Sequence, residues 1–365
     1  MKLQVSGGQI EVEVPSREIE VPDYPVVVCR ADEILAGVAE LGTQMVELTA
    51  AVEKLVDWPG PPPVPVYELP DPYKGVRGQC STGAAVEQMK ARMDALAEAG
   101  CTMYLYPNWA GGVYHQSDLV SHANCVTAEW DPLAEVIAYG HQLGMQVHAL
   151  VIAALTLVGE HPEWNLQNTA GTTAEWFDFR IQEAQECLAV YCEELVAAYN
   201  VDGLVLDYCR GPYPEYAKAD IPCEAVIDQV RLIREYAHTA RPGLPIGMTP
   251  SADANFARQY WRQDWATMLE EGLLDHCQCM CYEGNDGRDH FDYWMNTWPA
   301  SCLDRIHARV STWWFEPERA RKRNARVLFE LQEYWDRNVA GLALYDDRAV
   351  AGDAELVQAL AAGGW

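Results

Sequence analysis

Val201-Asp202-Gly203-Leu204-Val205-Leu206-Asp207-Tyr208-Cys209-Arg210 is the run on which the fold turns. Side chains alternate along a strand, so Leu204 and Leu206 share one face and Val205 and Asp207 the other. The leucine face suits a layer of helices. Asp207 then points to the opposite side, at the C-terminal end of the strand. Asp202 opens the strand at its other end and reads as structural.

Seven further apolar runs flank this one: Val76–Cys80, Cys101–Asn108, Met145–Ala153, Leu244–Ser251, His276–Tyr282, Arg305–Trp314 and Val339–Asp346. Helical patterns alternate with them over Ala84–Ala99, Leu133–Leu143, Trp176–Tyr199, Ala225–Ala237, Trp265–Glu271, Pro317–Asn338 and Ala354–Ala362, several stopped by glycine. Eight strands in alternation with helices predict an α/β chain folded as a (β/α)8 TIM barrel over residues 75–365. A doubly wound sheet is the competitor, but no Gly-rich phosphate loop follows the first strand.

In a barrel one strand face meets the axis. Alternation sends Arg77 and Gln79 inward from the first strand, and Tyr104, Tyr106 and Asn108 from the second. The third contributes Gln146 and His148, the fifth Thr249 and Ser251, and the sixth Gln278 and Tyr282. Arg309 and Trp313 come from the seventh, Tyr345 and Asp347 from the eighth, with Asp346 instead if that strand ends early. Cys277, Cys279 and Cys281 go to the helix side. Barrel interiors are ordinarily Val, Ile and Leu. So polar an inner set points to a binding face at the C-terminal ends of the strands, or to a buried polar network.

The chain has 13 Trp and 18 Tyr against 6 Phe. Trp and Tyr join a flat apolar face to a polar handle, which matches a sugar ring. Glycoside hydrolysis needs two carboxyl groups across the scissile bond. Asp207 is the first candidate. Glu283, directly after the sixth strand, is the favoured partner, and Asp347 (or Asp346) at the end of the eighth is the other. Arg77, Asn108, Trp109, His148, Tyr208, Arg210, Tyr282 and Trp313 are the expected substrate contacts. A metal-dependent polysaccharide deacetylase is a lesser alternative, with His148, His115 and His122 beside Asp207. No H-E-x-x-H or G-x-S-x-G run occurs, and the twelve cysteines contain no C-x2-C pair, so no metal or cofactor is expected.

Asp plus Glu is 54 and Lys plus Arg 26 among 365 residues, a net charge of −28. That argues against a basic nucleic-acid surface and against docking on anionic membranes, and a neutral or cationic substrate fits it better. No apolar stretch is long enough to span a membrane, and no secretory signal is visible. Synthesis in the cytoplasm, with reduced buried thiols, is the expectation.

Residues 1–74 read differently. Ile34, Val38, Leu41, Met45, Leu48, Val52 and Leu55 form a heptad seam over 31–56, followed by the spacer Trp58-Pro59-Gly60-Pro61-Pro62-Pro63-Val64-Pro65. Short strands are expected at Ile10–Val14 and 25–28. This is an attachment or homo-oligomerisation segment, or an amphipathic helix packed on the main domain.

Several motifs together resemble the glycosyl-hydrolase-like family ten barrels. These are Val76-Arg77-Gly78, Tyr104-Leu105-Tyr106, Asp131-Pro132-Leu133, Val147-His148-Ala149, His161-Pro162-Glu163-Trp164 and Val201-Asp202-Gly203 with Asp207-Tyr208-Cys209-Arg210. The resemblance implies a barrel with glycosidase chemistry on a polysaccharide, in some members a cell-wall glycan, with Asp207 as the strand-four acid. Pro107-Asn108-Trp109 and Tyr282-Glu283 depart from the family's pattern. Relatives are usually exported. One account of the missing signal is a virion or injection-machine component; the plainer one is a cytoplasmic enzyme. A non-catalytic glycan-binding or structural barrel is the alternative from another class.

Overall fold

The computed structural model describes residues 2–6, 9–13, 68–77, 86–108, 117, 131–154, 161–167, 173–211, 221–283, 289–314, 320–363 and 365. The chain divides into two units, Met1–Pro63 and Val64–Trp365. In the first, Lys2–Ser6 pairs antiparallel with Gln9–Glu13. The heptad seam over 31–56 and the strand expected at 25–28 lie outside the described residues.

The second unit is a closed barrel of eight parallel strands. They are β1 Tyr73–Arg77, β2 Met103–Pro107, β3 Gln146–Ile152, β4 Gly203–Asp207, β5 Ile246–Met248, β6 His276–Cys281, β7 Ile306–Ser311 and β8 Gly341–Tyr345. Each pairs with the next in sequence, and β8 closes on β1. Around them run α1 Val86–Glu98, α2 Pro132–Gln142, α3 Gln182–Ala198, α4 Cys223–Ala240, α5 Ala254–Tyr260, α6 Trp265–Glu270, α7 Phe291–Met295, α8 Asn324–Asp336, α9 Asp347–Ala351 and α10 Ala354–Ala361. This is the expected (β/α)8 architecture.

Local chemistry sets the boundaries. Asp131 caps α2 by accepting from the backbone N–H groups of Leu133 and Ala134, and Pro132 opens the helix. Gly144 follows at φ +74°, a conformation that side chains with a Cβ resist. β1 begins at Tyr73, three residues before the expected start and ahead of the expected domain boundary. Trp176 belongs to an antiparallel hairpin, Asn165–Gln167 with Thr173–Phe177, and not to the start of α3. Likewise Ala320–Arg321 pairs with Trp313–Trp314, so α8 starts later than the pattern predicts.

The barrel floor is aromatic and polar. Tyr73 stacks on His307 at 3.6 Å, and His276 lies 5.5 Å from His307 and 6.0 Å from His148. Adjacent strands make room with glycine. A Cβ on Gly203 would stand 2.5 Å from the His148 ring, one on Gly247 2.3 Å from His276, and one on Gly341 2.6 Å from the Cβ of Tyr73. Above them, Arg309 donates to Gln278 Oε1 at 2.8 and 3.3 Å, and Gln278 donates to the Tyr73 hydroxyl.

The described cysteines are free thiols. Cys277, Cys279 and Cys281 are buried, and Cys281 bonds Tyr334 of α8 on the helix side. No described helix is long and apolar enough to cross a membrane.

Candidate active site

Asp207 ends β4 at the C-terminal mouth and is only 4% exposed. Its Oδ1 accepts from the Thr249 hydroxyl at 2.5 Å and from the Tyr208 N–H at 3.1 Å. Thr249 follows β5 immediately, so the neighbouring strand end holds the carboxylate in place. Tyr208 then takes φ +52°, a region bulky residues rarely occupy, and keeps 39% of its surface exposed.

Beside it stands a wall of rings. The Arg210 guanidinium lies 4.1 Å from the Trp261 ring centroid and 4.9 Å from those of Trp176 and Tyr208. Trp176 and Tyr208 are 6.0 Å apart. The Gly211 N–H donates to the Trp261 carbonyl at 2.7 Å, fixing that ring's backbone to the end of β4. Next to Trp261, a cleft of about 590 Å³ is lined by Pro222, Cys223, Asn255, Arg258, Gln259 and Arg262. Arg258 there is paired with Asp264 at 3.2 Å.

Across the barrel, the Tyr282 and Tyr345 rings approach to 5.7 Å. The Trp313 indole N–H donates to Asp346 Oδ2 at 3.2 Å, while Asp346 Oδ1 caps α9 through the Ala349 N–H at 3.0 Å.

Four expected site residues lie elsewhere. Glu283 is buried on the helix side. Both its oxygens accept from the His290 N–H (3.1 and 3.0 Å), Oε2 contacts His290 Nδ1 at 3.1 Å, and the Tyr334 hydroxyl is 3.4 Å from Oε1. Burial pushes this carboxyl up and the His290 contacts partly hold it down. Its odd position puts it on the face of Cys281, not of Tyr282.

Asp347 is likewise turned outward. It accepts from the Tyr104 hydroxyl at 2.9 Å and pairs with Arg92 of α1 at 3.4 Å. Burial raises its carboxyl to about 6, against the pull of Arg92. The strand ends at Tyr345, so Asp346 takes the rim and Asp347 falls behind it.

Asn108 donates to the Tyr191 hydroxyl of α3 at 3.0 Å. Its strand is turned by one residue from expectation. Tyr104 and Tyr106 lie beside Val147 and Ala149, and a Cβ on Gly140 of α2 would strike Val147. Met103 and Leu105 therefore take the axis side.

His148 belongs to the floor. Its neighbour in register is Gly203, four residues below Asp207 on β4, which is about 13 Å of strand. The deacetylase arrangement, with His148 beside Asp207, is not formed; His115 and His122 lie outside the described residues. Among the described residues no group of three His, Cys, Asp or Glu is placed to hold a metal ion. Arg77 ends β1 in register with Tyr345; its side chain, and all of Trp109, also lie outside the described residues.

The wall brings in Trp176, which the sequence pattern gave to a helix. Period alone could not find it, because the hairpin that carries it is only a few residues long.

No family model and no curated protein matches this sequence. Solved structures do match in fold. The glycoside hydrolase domain of PgaB (BpsB) from Bordetella bronchiseptica aligns over 81% of this chain and 98% of its own, with TM-score 0.63 and 12% identity. Alpha-L-fucosidase isoenzyme 2 from Paenibacillus thiaminolyticus aligns over 80% of this chain and 49% of its own, at TM-score 0.58 and 15% identity. A GH18 chitinase from Pseudoalteromonas aurantia covers 80% and 100%, at 0.51 and 11%. The barrel is thus of the type these glycoside hydrolases use.

Proposed function

We propose that this chain is a glycoside hydrolase acting on a polysaccharide, with a bacterial cell-envelope glycan as the first class to test. The observation that carries the reading is Asp207. It is a strand-end carboxylate at the barrel mouth, braced by Thr249 and flanked by the exposed ring of Tyr208 and the half-buried rings of Trp176 and Trp261. The motif resemblance to glycosyl-hydrolase-like family ten and the likeness in fold to PgaB, fucosidase and chitinase structures support it.

Asp207 would attack the anomeric carbon or take a proton from water. A second carboxyl group would protonate the leaving oxygen. Of the candidates from the sequence, we assign this role to the strand-eight pair through Asp346, which faces Trp313. Glu283 and Asp347 are packed among helices. The acidic net charge disfavours an anionic polymer. The residues ahead of β1 we read as the segment that attaches or oligomerises the barrel.

The test is product formation from a panel of bacterial glycans, including peptidoglycan stripped of its peptides. Wild type and Asp207→Asn are run together and read by mass spectrometry. Cleavage by wild type alone establishes the activity. The second reading is a glycan-binding barrel without turnover, favoured by the outward burial of Glu283 and Asp347. Binding without cleavage by either protein would identify it.

A further inference from the structure

We propose that the ring wall beside Asp207 is a subsite for the apolar face of a neutral sugar residue, with Tyr208 as platform and Arg210 as the positioning residue that fixes it. This rests on the glycan reading above and adds to it a substrate class and two residue roles.

Two segments distant in sequence, the hairpin strand with Trp176 and the end of α5 with Trp261, converge on Arg210, whose own turn after β4 brings Tyr208. Arg210 as a whole is 6% exposed, so it is poorly placed to meet a polymer itself. Lying within 5 Å of three ring centroids, it clamps them through cation–π contact. Backbone bonds tie the wall to the carboxylate. The Tyr208 N–H donates to Asp207, and the Arg210 N–H donates to the Tyr208 carbonyl at 2.9 Å. The left-handed backbone at Tyr208 belongs to the same turn. A strained conformation kept by a bulky residue next to a rim carboxylate marks a place where geometry is held for a ligand.

The wall also selects by charge. Arg210 already draws on the negative faces of these rings, so at the wall a second cation such as a protonated amino sugar meets a weakened face and a like charge, which oppose the pull of Asp207. An acidic sugar meets Asp207. A neutral pyranose presents C–H groups to the Tyr208 ring without either penalty.

The experiment uses the full chain and its Asp207→Asn, Tyr208→Ala, Tyr208→Phe, Trp176→Ala and Arg210→Lys variants, each checked for an unchanged thermal midpoint. N-acetylchitopentaose, cellopentaose, mannopentaose, fully N-deacetylated chitopentaose and oligogalacturonate are titrated by calorimetry and intrinsic fluorescence. At least one neutral oligomer should bind better than both charged ones. Tyr208→Ala and Trp176→Ala should weaken it about tenfold, and Tyr208→Phe should restore it. Asp207→Asn should leave affinity within about threefold, and Arg210→Lys should raise KM with kcat little changed.

Equal binding by wild type and Tyr208→Ala overturns the subsite, as does no binding of any neutral oligomer at millimolar concentration. Preference for the deacetylated or acidic oligomer overturns the neutral class. Binding through the wall without cleavage sinks the hydrolase reading and leaves the subsite standing. Cleavage with an unchanged KM in Tyr208→Ala does the reverse.

Discussion

The two ends of the barrel use the same kinds of residue for different ends. On the floor, the rings of Tyr73, His148, His276 and His307 are buried against one another beside glycines, with Gln278 and Arg309 buried above them. At the mouth, Asp207, Tyr208, Arg210, Trp176 and Trp261 are braced from below yet keep Tyr208 open to solvent. Polarity inside a barrel is therefore no guide to function by itself. A polar group that ends in a neighbouring ring or amide serves the fold, whereas one at a strand end beside exposed rings can meet a ligand.

The largest effect that sharpens the contrast belongs to Asp207→Asn. The amide keeps an acceptor for Thr249, so the fold should hold, with the thermal midpoint within a few degrees. Loss of the nucleophile or base should lower kcat by about a thousandfold or more. Steady-state kinetics on the cleaved glycan reads it. Retained activity would move the chemistry away from β4.

The floor should answer to acid. Burial lowers His276 to about 4, and burial and neighbouring histidines hold His148 and His307 well below their ordinary value near 6.5. The unfolded chain binds these protons first as pH falls. The His276 contribution is thus full above about pH 6.5 and is lost between there and about 4, and His148 and His307 weaken in the same direction as pH falls below about 6.5. His276 alone accounts for about 2 kcal/mol at pH 5. Asp347 works in the opposite sense. Its raised carboxyl stabilises at low pH and loses that contribution as pH rises through about 6, offsetting one histidine in part. Urea denaturation at pH 7 and pH 5 should show the net loss, and a flat response would mean that the floor is hydrated. The comparison also predicts that Gly247→Ala, which drives a methyl to 2.3 Å from the His276 ring, costs about 1–3 kcal/mol. Activity per folded molecule should not change.

Much of this was legible in the sequence. The eight strands came from apolar runs between glycine-stopped helices, and Asp207 from simple alternation along Val205-Leu206-Asp207. The floor histidines were harder. His148 reads as a rim residue because a sequence shows that a side chain faces the axis but not at what height along it. Alternation with polar tips toward the axis misplaces Tyr104, Tyr106 and Asn108, because the Tyr104 hydroxyl and the Asn108 amide find partners among the helices. Glu283 and Asp347 follow a strand end by one residue too many. There the alternation continues for one residue and the chain turns, so adjacent carboxylates part to opposite faces.

Glu283→Gln is the smallest and most discriminating change. Glu283 is a buried acid whose oxygens meet His290 and Tyr334, on the side of the barrel away from Asp207. An amide of the same shape keeps one acceptor for the His290 N–H but loses the charge-assisted contact. Stability should fall by about 1–2 kcal/mol, read by denaturant unfolding. Turnover should stay within about threefold, because the residue acts on the packing of the segment after β6 and not on the glycosidic oxygen. Asp346→Asn provides the contrast at the mouth. Asn caps a helix as well as Asp does, so the α9 cap is kept, while the bond from the Trp313 indole N–H, worth about 1 kcal/mol, and any proton donated by that carboxyl are lost. If Glu283→Gln abolished cleavage and Asp346→Asn did not, the acid would belong to β6. The outward packing of Glu283 would then be the resting arrangement of a side chain that swings to the mouth when substrate binds.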